Sequence, residues 1–305
     1  MPIPNEAVIS CAVNPLILEE TSYDVEKMKT EHASLYHSLS DEQRTVYDRI
    51  MTAIDTGEGG LFFLYGHGGT GKTYIWKTLC SALRGRGDIV LPVASSGIAS
   101  LLLPKGRTAH SRFGIPLDCD ENSTCNKIRP DTDLTGLLKK TKLIIWDEAP
   151  MTHRYCFEAL DRSLRDVMRS HIESCSTKPF GGLVVVLGGD FRQVLPVVPN
   201  GSRHDIVHAS ICSSQLWNSC VVLKLTNNMR LQRGTSASTS EDTKEFAKWI
   251  LDVGDGSAGT ILGDGEADVR ISDDILIQNV ENPIASISLS KIELYWHPLT
   301  KWWIQ

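Results

Sequence analysis

Apolar residues recur along the chain in short unbroken runs separated by stretches of helical spacing. Leu61–Tyr65, Ile89–Ala94, Leu143–Trp146, Leu183–Leu187 and Val221–Leu225 have few or no polar interruptions. Runs of that length, bounded by glycine and polar residues, predict strands buried on both faces. The intervening pattern predicts helices over Asp24–Leu39, over Thr73–Leu83 and through Phe157–Met168. Ser40-Asp-Glu-Gln43 puts a hydroxyl at an N-cap and an amide three residues later, the pattern of a capping box, here opening a helix to about Ala53. Strands alternating with helices predict an α/β fold with a parallel sheet covered on both sides. Asp118–Asp133, rich in Asp, Asn, Thr and Pro, is expected to be a loop, and Gly234–Ser240 (GTSASTS) a linker. A helix over Thr243–Leu251 and an acidic, glycine-rich stretch, Gly254–Asp274, follow, so a domain boundary is expected near residue 234.

Composition narrows the class. At 41% hydrophobic and 22% charged residues, the 305-residue chain is not disordered throughout. Its net charge of −6 argues against a polybasic nucleic-acid binder until the distribution is considered. Residues 241–305 hold 12 acidic and 5 basic residues, a net of −7, whereas the first 240 hold 25 and 26, a net of +1. The acidity belongs to the C-terminal part, and the main body is free to present a basic face. Eight cysteines without a CxxC pair, and an N-terminus without a basic region or long apolar stretch, predict reduced thiols in a cytosolic or nuclear protein. No run of 18 apolar residues occurs, so no membrane span is expected.

The first run leads into Gly66-His-Gly68-Gly69-Thr70-Gly71-Lys72-Thr73, which fits GxxxxGK[ST] between a predicted strand and a predicted helix. Glycines let successive N–H groups wrap a phosphate, and the helix N-terminus adds partial positive charge. Lys72 is expected to reach the β- and γ-phosphates and Thr73 to ligate Mg²⁺. A plain glycine-rich turn is the alternative, and the matching flanks leave it little room. The third run ends in Asp147-Glu148, suited to holding the metal and activating a water. The fourth ends in Gly188-Gly-Asp190-Phe-Arg-Gln193, whose Gln193 is placed to sense the γ-phosphate. His204, His208, Cys212 and Cys220 could supply zinc ligands, but metal sites usually show tighter cysteine pairs.

Gly66–Thr73, Asp147-Glu-Ala-Pro-Met151 and Gly188-Gly-Asp-Phe-Arg-Gln-Val-Leu-Pro-Val197 together closely resemble the Pif family of superfamily-one DNA helicases, in particular its plant, Helitron-associated branch. Leu39–Gln43 resembles the family's Q motif, which implies that Gln43 contacts adenine. Ala94–Ser100 and Arg107–Phe113 resemble its single-strand-contacting motifs, which implies DNA contacts from Ser96, Gly97, Thr108, His110, Ser111 and Phe113. Phe113 is equally suited to stacking on a base or to core packing. Leu225-Thr-Asn-Asn-Met-Arg230 resembles the motif whose arginine touches the γ-phosphate.

The resemblance implies a P-loop, RecA-like ATPase that uses ATP and Mg²⁺ to move 5′ to 3′ on single-stranded DNA and to open 5′-tailed duplexes. It further implies roles in repair, recombination and telomere maintenance, in the nucleus or the mitochondrion. The implied organisation is a helical lead-in over 1–38, a motor domain over 39–233, the start of a second motor domain over 234–286, and a divergent tail over 287–305. The late motifs of the second motor domain are absent from this sequence. The expectation is therefore ATP binding with weak hydrolysis and little autonomous unwinding, unless a second chain supplies the missing half. The alternatives are a different P-loop enzyme, or a non-enzymatic remnant that binds nucleotide or single-stranded DNA.

Overall fold

A computed structural model of the chain describes residues 14–169, 177–229, 231, 237–261, 267–269 and 271. The chain divides into two compact units, 1–240 and 241–305.

The first unit is built on a six-stranded, all-parallel sheet. Its strands are β1 (Gly60–Gly66), β2 (Ile89–Ala94), β3 (Arg107–Thr108), β4 (Thr141–Asp147), β5 (Val184–Gly189) and β6 (Cys220–Leu225), in the order β3-β2-β4-β5-β1-β6. All five apolar runs are strands, and β2 has the predicted bounds. Successive residues enter opposite faces, which gives two cores. Leu61, Phe63, Ile144, Trp146, Val185 and Leu187 join one. Phe62, Leu64, Leu143, Ile145, Val184 and Val186 join the other. This alternation explains why the central strands read as unbroken apolar runs. β6 lies at an edge, and its Val221 and Val222 are exposed.

The helices of this unit are α1 (Pro15–Thr21), α2 (Val25–His37), α3 (Asp41–Thr56), α4 (Lys72–Arg86), α5 (Gly97–Leu101), α6 (Ala109–Phe113), α7 (Asp133–Lys140), α8 (Arg154–Arg169) and α9 (Arg203–Ala209). The capping box forms as read. Ser40 Oγ accepts from the Gln43 N–H at 3.3 Å, and Gln43 Oε1 accepts from the Ser40 N–H at 3.1 Å. The predicted 118–133 loop runs up to α7, whose first residue is Asp133. Thr132 caps that helix, and Leu134, Leu137 and Leu138 bury one side of it.

The lead-in is tied to the sheet unit. Asn14 Nδ2 donates to the Asp133 carbonyl at 2.7 Å. Arg112 of α6 and Glu20 of α1 form a buried ion pair at 2.5 Å, and Arg107 of β3 pairs with Glu19 at the same distance in a more exposed setting.

α10 (Ala237–Gly254) and the antiparallel strands β7 (Thr260–Ile261) and β8 (Ala267–Asp268) follow. α10 corrects part of the linker expectation, because Ala237–Ser240 is helical. Polar composition there suggested a flexible segment, yet Ser, Thr and acidic residues also suit the opening turn of a helix. The tail after Ile271, and residues 262–266, 270 and 272–274 of the acidic stretch, lie outside the described residues. No helix among the described residues is long and apolar enough to cross a membrane.

Candidate active site

The order β4-β5-β1 brings three strand ends together, and each carries one of the motifs. β1 ends at Gly66, β4 at Asp147, and β5 at Gly189 beside Asp190.

The loop after β1 is held by its carbonyl groups. The Gly66 carbonyl accepts from Lys72 Nζ, and the His67 carbonyl from Thr70 N–H and Oγ1. The Gly68 carbonyl meets His67 Nδ1 at 3.0 Å, the Gly69 carbonyl accepts from the Met229 N–H at 2.9 Å, and the Thr70 carbonyl accepts from Gln43 Nε2 at 3.1 Å. With its carbonyls occupied, the loop has amide N–H groups, including those of the first turn of α4, to offer an anion. Gly71 requires its lack of a side chain twice. Its φ is +87°, and an added Cβ would lie 2.3 Å from Gln43 Nε2. Gly68 has open space around it. Thr73 follows Lys72 in the first turn of α4.

Gln43, expected to contact adenine, is anchored between the start of α3 and the loop. The residue is 3% exposed, and both ends of its amide are engaged, one in the capping box and one on the Thr70 carbonyl. It holds the loop.

Asp147 and Glu148 meet at the end of β4. Burial pushes the Asp147 carboxyl up, against the opposing pull of Trp76, Lys72 and the Glu148 N–H. Asp147 Oδ1 is buried and has no donor, and nearby Trp76 Nε1 likewise has no partner at hydrogen-bond geometry. A buried, unpartnered carboxylate oxygen beside a lysine-bearing anion loop fits a hard divalent cation. Gly188 makes room for this arrangement, because a Cβ there would lie 2.5 Å from the Trp76 ring and 3.2 Å from Asp147 Oδ1. Glu148 has a left-handed backbone, φ +52°. Burial, with the charges of Asp147 and Asp190, pushes its carboxyl up against Lys72. A carboxylate raised in this way is a stronger base than an ordinary one and is suited to accept a proton.

Asp190 is buried and accepts from the Arg192 N–H at 3.1 Å. Gln193 is exposed on the turn it shares with Asp190, its N–H donating to the Asp190 carbonyl at 3.1 Å. Arg230 lies outside the described residues.

The residues expected to meet DNA divide. Ser96 caps α5 through the Ala99 N–H at 3.1 Å, and Gly97 is exposed beside it. Thr108 precedes α6, and Ser111 is exposed. His110 is half-buried 3.8 Å from Cys156 Sγ, and burial lowers its pKa. Phe113 is a correction. It is fully buried, with its ring centroid 6.4 Å from that of Trp146, and is unavailable to a base. Its apolar neighbours Ala109 and Trp146 make it a core residue. His204 and His208 lie one turn apart on α9, and no group of three or more metal-ligating side chains occurs among the described residues.

Sequence reasoning missed Glu42, His67 and Trp76. Glu42 accepts from Thr226 N–H and Oγ1 at 2.9 and 2.8 Å and from the Asn227 N–H at 3.3 Å. Burial pushes its carboxyl up, but these bonds and the His67 charge outweigh it and hold it below the usual carboxylate range. Its position inside the Leu39–Gln43 motif was the available signal.

A parallel sheet with a glycine-rich phosphate loop on one strand and an acidic pair two strands away defines a P-loop ATPase fold of the RecA type. Residues 38–261 match the model of the PIF1-like helicase family, and the chain belongs to that family. The ATP-dependent DNA helicase RRM3 of Saccharomyces cerevisiae is 28% identical over 281 residues, covering 85% of this chain and 36% of the relative. The ATP-dependent DNA helicase Pif1 of Psychrobacter is 32% identical over 186 residues, covering 60% and 27%. The chain thus spans about a third of the yeast relative's length. Among solved structures, Bacteroides Pif1 in complex with ADP-AlF4 superposes with a TM-score of 0.54 at 26% identity, covering 74% of this chain and 48% of that one. A structure of two coordinating Pif1 helicases at forked double-stranded DNA gives 0.56 at 24%, covering 74% and 50%, a likeness of fold.

Proposed function

We propose that this chain is an ATP-dependent DNA helicase motor of the Pif type. Residues 39–233 form its ATP-binding domain, 1–38 a lead-in and 234–286 the entry to a second motor domain. The observation that carries the reading is the meeting of the Gly66–Thr73 loop, the donorless Asp147 Oδ1 and the raised Glu148 carboxyl at the ends of β1 and β4, on either side of β5. The loop N–H groups and Lys72 bind the phosphates. Thr73 and Asp147 are the residues that would hold Mg²⁺, which supplies charge neutralisation at the phosphates when bound. Glu148 orients the attacking water and takes its proton, Gln193 senses the γ-phosphate, and Arg230 acts as an arginine finger.

Ser96, Gly97, Thr108, His110 and Ser111 form the part of the track that meets single-stranded DNA, with 5′-tailed duplex as the unwinding substrate. Bacteroides Pif1 was solved bound to single-stranded DNA, which supports this choice of ligand. The biological setting is nuclear or mitochondrial DNA repair, recombination and telomere maintenance. These residues match about a third of the yeast relative's length.

The test is mant-ATP binding together with phosphate release, with and without single-stranded DNA. Glu148→Gln keeps nucleotide binding and loses about 10²–10⁴-fold in turnover. Lys72→Ala loses both. Equal turnover in wild type and Glu148→Gln sinks the catalytic reading and leaves a nucleotide-binding protein.

A further inference from the structure

Ser95 stands between the two halves of the proposed machinery. It follows β2, whose last residue, Ala94, pairs with Asp147 at the end of β4. The Ser95 N–H extends that ladder by one bond, donating to the Asp147 carbonyl at 3.1 Å. On its other side, Ser96 caps α5 and Gly97 opens it. One peptide link thus separates a residue bonded to the proposed metal aspartate from the residues proposed to meet DNA.

The half-buried side chain tightens the tie. Trp146 Nε1 donates to Ser95 Oγ at 2.9 Å, and Thr152 Oγ1 donates to it at 2.8 Å. An indole nitrogen only donates, so Ser95 Oγ is an acceptor at that contact. The hydroxyl also reaches the Asp147 carbonyl at 3.5 Å, a long contact. Trp146 and Thr152 are both buried, and buried donors need an acceptor. These two residues bracket the acidic pair. Trp146 precedes Asp147 in β4, and Thr152 follows the Ala149–Met151 turn, which its N–H closes on the Ala149 carbonyl at 3.0 Å. One hydroxyl therefore holds both flanks of the segment that carries Asp147 and Glu148, and a displacement of that segment carries the start of α5 with it.

We propose that Ser95 is a positioning residue that couples the nucleotide site to the single-stranded DNA track. Its hydroxyl keeps Ser96 and Gly97 in register with Asp147 and Glu148, so that a nucleotide settling against the acidic pair changes how the oligonucleotide is held. This rests on the ATP- and DNA-binding reading above. Ser95 itself touches neither ligand. Its substitution is expected to remove the coupling between the two ligands and to spare the binding of each alone.

The test measures anisotropy of a labelled single-stranded oligonucleotide on the full chain, with and without a saturating non-hydrolysable ATP analogue. Mant-ATP binding is measured alongside. In wild type the analogue should change oligonucleotide affinity by about fivefold or more, the lower end of ordinary coupling between sites. In Ser95→Ala each ligand alone should bind as in wild type, and the effect of the analogue should vanish. Ser95→Thr, which keeps the hydroxyl, should retain it. Thr152→Val frees one flank, leaves the Trp146 indole its acceptor and should weaken the coupling. It decides the matter if circular dichroism shows Ser95→Ala unfolded. Full coupling in the deciding variant overturns the proposal, as does wild type that binds both ligands without coupling. A loss of single-ligand affinity as large as the loss of coupling marks a merely structural role and also overturns it. Failure of wild type to bind nucleotide or oligonucleotide at all would instead remove the reading of function on which the proposal rests.

Discussion

Asp147 concentrates the conflict between stability and function in one side chain. It is a carboxylate withdrawn from water, and one oxygen has no donor. Its pKa is raised in the folded protein, chiefly by burial. A carboxyl with a raised folded-state pKa binds more protons folded than unfolded, so its ionisation destabilises the fold as pH rises past the unfolded value. Asp147→Asn removes that charge with little change of shape. The expected outcome is a higher melting temperature at pH 7 than wild type, a difference that shrinks toward pH 4, with ATP turnover lost. Calorimetry at the two pH values and a phosphate-release assay check both halves. Glu148 is raised by the same means with Asp147 and Asp190 adding, so turnover should climb with pH through a range above that of an ordinary carboxylate.

At the level of elements, the long strands were legible and the short helices were not. A strand buried on both faces announces itself by composition, which is why Leu61–Tyr65 and Ile89–Ala94 were read directly. α7 has eight residues and follows a loop-like stretch, and its helicity comes from burying Leu134, Leu137 and Leu138, which local sequence does not reveal. The site divides in the same way. Lys72, Asp147 and Glu148 follow from motif spacing, whereas the tie of Gln43 to the Thr70 carbonyl and the burial of Phe113 in the core are visible only once the elements pack.

α1 shows what one such element contributes. Glu20 and Arg112 are each 5% exposed, so removing either leaves a charge buried. Glu20→Ala should cost about 3–5 kcal/mol in urea unfolding, far more than the same change at half-exposed Glu19.

For the whole molecule, charge distribution bounds how the proposed DNA ligand would be met. The first 240 residues carry a net of +1, and the acidic excess lies beyond them. Binding to single-stranded DNA should therefore rest on a few phosphate contacts. Anisotropy titrations of a labelled oligonucleotide should show log K falling with log salt at about −0.7 per phosphate met. A total slope steeper than about −5 would demand more basic contacts than that net charge suggests.

Two consecutive residues of α3 hold two distant parts of the site. Gln43 reaches 27 residues ahead to the Thr70 carbonyl, and Glu42 reaches 184 residues ahead to Thr226. A chain emerging from the ribosome can make the first tie as soon as α4 begins. The second waits until β6 has been synthesised and paired with β1, and closing so long a loop is slow. The phosphate loop is thus shaped early and fastened late, so nascent chains that stop short of residue 226 should fold much of the sheet yet hold nucleotide poorly.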